Sequence, residues 1–205
     1  MMRLYFIRHG ESEANLLREF SNSGTKHPLT PRGIEQARAV AHSLADLQFA
    51  AIYSSPVLRA VQTAQILAES FPAPLTITEA LREWNVGIYE GTTDTHGWEL
   101  HAAVQQDWFF HNKLDSKMPG GESFLEIQAR FVPFIDLLVN QWGDSDCSLL
   151  LVAHGGLYMA MLPVILKNIS FDFAAQHGFT YTAVTVAESR SAGLECLSWC
   201  GEALN

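Results

Sequence analysis

The sequence is short of cationic side chains. Thirteen Lys and Arg stand against 22 Asp and Glu in 205 residues, a formal charge of −9, so no net positive field draws the chain to nucleic acid or to an anionic bilayer. Any anionic ligand must be held by a local cluster. Cysteine is scarce as well: Cys147, Cys196 and Cys200 are an odd number in a mid-sized chain, which fits reduced thiols in the cytoplasm better than an oxidised framework. Cys196 and Cys200 do not form Cys-x-x-Cys, and both fit one side of a strand as small buried hydrophobes. The apolar run Leu4 to Ile7 stops at Arg8, too soon for a signal-peptide core, so export is not indicated.

Glycine at 14, proline at 8 and charged residues at 17% are modest beside 48% hydrophobic residues, which excludes collagen-like and disordered chains. The length suits one domain, residues 1–205, able to bury about 70% of its unfolded surface. From Cys147 to Leu166 there is no Asp, Glu, Lys or Arg, a run long enough to span a bilayer. His154-Gly155-Gly156 divides it into a strand-like piece, Ser148 to Ala153, and a helical piece, Leu157 to Leu166. No membrane segment is expected. His-Glu-x-x-His, the phosphate-binding Gly-x-x-x-x-Gly-Lys-Ser/Thr and the dinucleotide Gly-x-Gly-x-x-Gly are all missing, and the eight histidines show no zinc spacing, so no metal is expected.

What the sequence does contain is an alternation of strands and helices. Leu4 to Ile7 reads as a strand. Thr30-Pro31 reads as an N-cap with Pro at the first helical position, opening a helix with Ile34, Ala37, Ala41 and Leu44 on one side. Phe49 to Ser54 reads as a second strand, and Ser55-Pro56 repeats the cap device ahead of Val57, Val61, Ala64 and Ala68. Ser123-x-x-Glu126 is a capping box before Phe124, Ile127, Phe131 and Phe134, in a helix that Pro133 should kink or split. Thr180 to Ala187 and Leu194 to Trp199 read as a terminal hairpin. The pattern predicts an α/β fold, a mostly parallel sheet with helices on both faces. Residues 92–119 break the rhythm with Trp98, Trp108, Phe109, Phe110 and three histidines. They are expected to form a small helical cap insertion, its aromatics serving either as its own core or in substrate selection.

The chemistry gathers at strand ends, where ligands bind in open α/β sheets. Arg8-His9-Gly10-Glu11 follows the first strand, Ser54-Ser55-Pro56 with Arg59 and Thr63 the second, and His154-Gly155-Gly156 the buried one. Two Arg and two His thus converge. Guanidinium forks match phosphate oxygens, and the helix starts after Ser55 and His154 add backbone N–H groups and positive dipole ends. This is the local cluster an acidic chain needs to hold an anion.

These segments resemble the histidine phosphatase superfamily, which includes the cofactor-dependent phosphoglycerate mutases. The resemblance lies in Phe6-Ile7-Arg8-His9-Gly10-Glu11-Ser12 with Asn15, Leu29-Thr30-Pro31-Arg32-Gly33 with Gln36-Ala37, and Ser54 to Ala64. It continues in Leu81-Arg82-Glu83 with Glu90-Gly91 and in Val152-Ala153-His154-Gly155-Gly156. It implies a phosphoglycerate mutase-like fold and phosphoryl transfer through a phosphohistidine on His9. Arg8, Asn15, Arg59, His154 and the Gly155 N–H would bind phosphoryl oxygens, and Glu83 would act as general acid and base. The substrate class implied is a small phosphorylated metabolite, with inorganic phosphate as product and no cofactor. A phosphomutase, which would need 2,3-bisphosphoglycerate, and a non-catalytic phosphate-binding relative are the alternatives. Family mutases are usually longer and carry basic groups for the substrate carboxylate. Here the cap offers only Lys113 and Lys117 beyond its histidines, and Ala14 stands where the family often has Trp.

Overall fold

The computed structural model describes residues 1–204. Seven strands form one sheet: β1 (Arg3–Arg8), β2 (Ala51–Ser54), β3 (Leu75–Ile77), β4 (Ser148–Ala153), β5 (Val184–Arg190), β6 (Gly193–Trp199) and β7 (Glu202–Ala203), in the order β3-β2-β4-β1-β5-β6-β7. The first four are mutually parallel, while β5 to β7 add an antiparallel wing on the far side of β1. The sheet is therefore mixed. The parallel half carries the buried, continuous apolar strands that the sequence showed, since helices cover both of its faces.

Side-chain alternation along β1 shows how the two faces are filled. Tyr5 and Ile7, with Ile52, Leu150 and Val152, pack against α2 (Pro31–Ser43) and α3 (Leu58–Ser70). Leu4 and Phe6, with Leu149, Leu151 and Ala153, face the opposite core. That core includes residues of α4 (Thr95–His111), α5 (Phe124–Trp142), α6 (Gly155–Ile165) and α7 (Phe171–His177). A five-residue helix, α1 (Glu13–Leu17), follows the first strand.

Four local expectations need revision. The helix after β2 is not capped by Ser55 but begins at Leu58 with Val57 as its cap residue. The Ser55 hydroxyl instead accepts from the Val57 N–H at 3.3 Å and meets a histidine, described below. Pro133 does not split α5. The ring sits on the exposed side, where the carbonyl it leaves unbonded can reach water, while buried Ile127, Phe131, Ile135 and Leu138 hold both halves to the core. The helix after β4 starts at Gly155, earlier than Leu157, with His154 itself as the cap residue. Cys200 also falls outside β6, at a positive φ of 51°, so it does not share a strand face with Cys196.

The Arg-His-Gly loop is fixed by contact with the start of α2. A Cβ on Gly10 would lie 2.5 Å from the Gly33 carbonyl oxygen, and one on Gly33 would lie 2.0 Å from that of Glu11. Two backbones thus touch where neither tolerates a side chain. Around them Thr30 Oγ1 donates to Glu11 Oε1 at 2.9 Å, and the Glu11 N–H donates to Gln36 Oε1 at 2.8 Å. Glu11 and the Thr-Pro-Arg-Gly segment therefore hold the loop from behind.

Candidate active site

Register brings three strand ends level. Arg8 pairs with Ala153 across β1 and β4, and Ser54 with Val152 across β2 and β4. The next residues, His9, Ser55 and His154, therefore leave the same edge of the sheet side by side. His9 is 2% exposed, and its Nδ1 lies 2.7 Å from the Gly10 carbonyl. A carbonyl only accepts, so Nδ1 carries the proton and Nε2 presents its lone pair. Arg59 Nε donates to that Nε2 at 2.9 Å. Burial, then Arg59 and Arg8, hold His9 well below the ordinary imidazole range, so the ring is neutral at pH 7.

Arg59 is the hub of the cluster. Besides His9 it donates to the Ser21 carbonyl and, through Nη2 at 3.2 Å, to His154 Nδ1. Burial draws its pKa down to about 10, which leaves it cationic at neutral pH. Arg8 donates to the Phe179 carbonyl and lies over the Tyr181 ring at 4.5 Å. Its Nε is buried without a partner among the described residues. A buried, unpartnered guanidinium N–H next to a second arginine calls for an anion.

His154 is fully buried behind this pair, its ring centroid 5.1 Å from that of His9. It does not line the cavity that the other predicted residues share. Nδ1 accepts from Arg59, so Nε2 carries the proton to Ser55 Oγ at 2.7 Å. If the Ser55 hydroxyl donated instead, Nδ1 would carry the proton toward the arginines. Burial, with Arg59 next, depresses His154 far below the usual range.

Glu83 faces the arginines from the loop after β3. Its Oε1 accepts the Trp84 N–H and its Oε2 the Gly156 N–H, both at 3.0 Å. Burial pushes its pKa up, against the opposing pull of the Trp84 N–H and Arg59. A Cβ on Gly156 would lie 2.9 Å from both carboxyl oxygens, so a side chain here would push Glu83 out of place. Asn15 lines the same cavity, with its carboxamide oxygen occupied by the Ser12 N–H and hydroxyl at 3.0 and 2.9 Å. Its NH₂ is the end left for a ligand.

The cavity encloses about 240 Å³ and is walled by Arg8, His9, Asn15, Arg59, Glu83 and Gly155, with further residues the sequence did not single out. Ser21, Phe20 and Asn22 come from the loop after α1, which Glu90 fastens by accepting the Asn22 and Ser23 N–H groups at 3.1 and 3.0 Å. Glu19 lies on the same loop, and α4 contributes Trp98, His101 and Gln105. Of the three histidines in residues 92–119, only His101 reaches the cavity. It stacks on Trp84 at 4.3 Å, and burial lowers its pKa to about 4. Lys113 pairs with Asp107 and Lys117 with Glu126, and neither lysine lines the cavity. No His, Cys, Asp and Glu grouping suited to a metal occurs among the described residues, and no described helix is long and apolar enough to cross a membrane.

The chain is similar to known proteins over most of its length. The model of the histidine phosphatase superfamily (branch 1) matches residues 4–201. The putative phosphoserine phosphatase 2 of Hydrogenobacter thermophilus is 34% identical over 184 residues, covering 85% of this chain and 87% of that one. The probable phosphoglycerate mutase of Salmonella choleraesuis is 30% identical over 81% of this chain and 75% of its own. Among solved structures, mycobacterial glucosyl-3-phosphoglycerate phosphatase complexed with VO3 superposes with a TM-score of 0.82 at 28% identity, over 96% and 98% of the two chains. The same mycobacterial protein has also been solved with inorganic phosphate.

Proposed function

Since the chain belongs to the histidine phosphatase superfamily and is a phosphatase of it, we propose that it hydrolyses monoesters of small phosphorylated metabolites through a phosphohistidine on His9. One observation carries this reading: a neutral, buried imidazole fixed by its Nδ1–H on Gly10, with its Nε2 lone pair beside two desolvated arginines. A phosphate drawn to the Arg59 guanidinium takes over the N–H that Arg59 gives to Nε2 and frees the lone pair for attack. The His9 Nε2–P bond forms as the ester P–O bond breaks. Arg8, Arg59, the Asn15 NH₂ and the Gly155 N–H, with His154 behind them, offset the charge that spreads over the equatorial oxygens. Glu83 gives its proton to the departing alkoxide, then takes one from the water that splits the phosphohistidine, releasing inorganic phosphate and restoring His9.

The acid role of Glu83 gives a leaving-group test. Glu83→Gln is expected to slow alkyl phosphates by on the order of 10²-fold or more, and aryl esters of acidic phenols far less, because those leave without a proton. The direction with pH follows from its raised pKa. The acid form persists to higher pH than in an ordinary carboxyl, so turnover of alkyl esters falls as pH rises through that pKa. The variant should lose this dependence. Equal losses on both substrate types would make Glu83 a binding residue.

Hydrolysis is favoured over mutase action because neither cap lysine lines the cavity and His101 is neutral at pH 7. A non-catalytic relative would not need Glu83 held toward its acid form opposite a fixed nucleophile. We read residues 92–119, with α4 at their centre, as a cap inserted in a single domain, and we expect neither metal nor 2,3-bisphosphoglycerate in the reaction. Three cysteines outside any disulfide support a reducing cytoplasm. The deciding experiment is a panel of phosphorylated sugars, nucleotides, phosphoglycerates and aryl phosphates assayed in EDTA. Release of phosphate unaffected by the chelator is expected, with isomerisation of 3-phosphoglycerate, primed by 2,3-bisphosphoglycerate, slower than hydrolysis of the best substrate. Activity that vanishes with EDTA and returns with zinc or magnesium would move the chemistry to a metal.

A further inference from the structure

Beyond Arg8 and Arg59 the cavity wall holds no other Lys or Arg. A dianionic phosphoryl group engages both of those guanidinium forks. The rest of the wall includes Phe20 and Trp98, stacked at 3.9 Å, the neutral His101 and Gln105. The ionised side chain there is Glu19. Hydrogen bonds from Lys26 Nζ at 2.6 Å and His27 Nε2 at 2.9 Å hold its carboxyl below the ordinary range. Both contacts fall on Oε1. Oε2 is left as the acceptor, on a residue that lines the cavity.

We propose that Glu19 selects the leaving group, admitting phosphomonoesters whose alcohol carries an ammonium or hydroxyl donor and rejecting those that carry a carboxylate or a second phosphate. The inference rests on the phosphatase reading of the same site. An ammonium or hydroxyl gains a charge-assisted hydrogen bond to Oε2. A second anion finds no free cation, and it meets a carboxylate within a cavity of about 240 Å³, too small for intervening salt to screen the two charges fully. Rejection by repulsion is as much a source of selectivity as attraction. Lys26 modulates the effect from outside, because it partly neutralises Glu19 while its own side chain remains 66% exposed.

The test compares kcat/KM for O-phosphoethanolamine and 3-phosphoglycerate, two small alkyl phosphates that differ in the charge of the leaving group. The native chain should favour O-phosphoethanolamine by about tenfold or more, the scale of one like-charge contact across a partly desolvated site. Glu19→Gln, which keeps the shape, should lower that ratio by about tenfold, and Lys26→Ala should raise it. A structural role for the Glu19–Lys26 pair would shift both substrates together. A native preference for 3-phosphoglycerate, or a ratio that the two variants leave unmoved or move in the same direction, would overturn the inference while leaving the phosphatase reading in place. Absence of phosphate release from every member of the substrate panel, O-phosphoethanolamine included, would overturn the phosphatase reading and this inference with it.

Discussion

His9→Ala should reduce turnover by on the order of 10⁴-fold or more on every substrate, the scale expected when a nucleophile is removed. It should also abolish the acid-labile, base-stable phosphoenzyme that rapid quenching traps in the native chain. The reason is geometric. The Gly10 carbonyl fixes the proton on Nδ1, so Nε2 is the lone pair aimed at the cluster. No other lone-pair nitrogen takes its place, because His154 is fully buried and tied between Arg59 and Ser55, and His101 lies stacked on Trp84. The variant should still fold, since the loop is held by contacts that do not involve the imidazole: the Gly10–Gly33 approach and the Gly10 N–H on Thr63 Oγ1 at 3.2 Å. Circular dichroism would confirm this. A folded His9→Ala protein with turnover within tenfold of native would end the phosphohistidine proposal.

Arg59→Ala should lower kcat/KM by about 10²- to 10³-fold, as loss of one preorganised donor at the developing charge does. Arg59→Lys should recover little of it. The guanidinium spans three partners at once, His9 Nε2, His154 Nδ1 and the Ser21 carbonyl, and an ammonium presents a point charge with no such fork. Removing Arg59 also removes the largest cationic influence on both imidazoles after burial. Their pKa values should therefore rise, which NMR titration of the ring protons can follow. A Lys variant at near-native rate would show that charge alone suffices and that the fork geometry is irrelevant.

The sequence made some of this site legible and hid the rest, for identifiable reasons. Arg8, His9, Arg59 and His154 could be brought together because each follows an apolar strand or opens a helix, and parallel strands deliver their ends to one edge. Glu83 carried no such signal. It sits in a loop just after a one-turn helix at Glu79–Leu81, and only the resemblance singled it out; its burial and its two backbone donors are tertiary facts. Glu90 matched the family pattern without a role, and the structure gives it one in fastening the loop that carries Ser21 and Asn22. Glu19 and Ser21 sat in a stretch without periodicity, so nothing local marked them as cavity walls. Ser-Pro before an apolar run also fits a helix-cap pattern, so the sequence alone does not reveal that the Ser55 hydroxyl is turned to His154. The antiparallel wing is half legible: the terminal hairpin is readable, but its pairing with β1 is not. A hairpin pattern contains no term for its outer neighbour, which here is β1.

That docking has a consequence for how the chain is made. β1 carries the nucleophile at its end and is an interior strand, yet its two neighbours, β4 and β5, follow it by most of the chain. At ribosomal rates of about 5–20 residues per second, β1 waits on the order of ten seconds for either partner. During that interval an apolar strand with two open edges is exposed to other nascent chains and to chaperones. Catalytic competence therefore arrives only once β4 and β5 have both been synthesised. Shortening the chain from its C-terminal side to a point before Phe179 would leave β1 with a bare edge and the nucleophile loop without the wall that Phe179 and Tyr181 give Arg8.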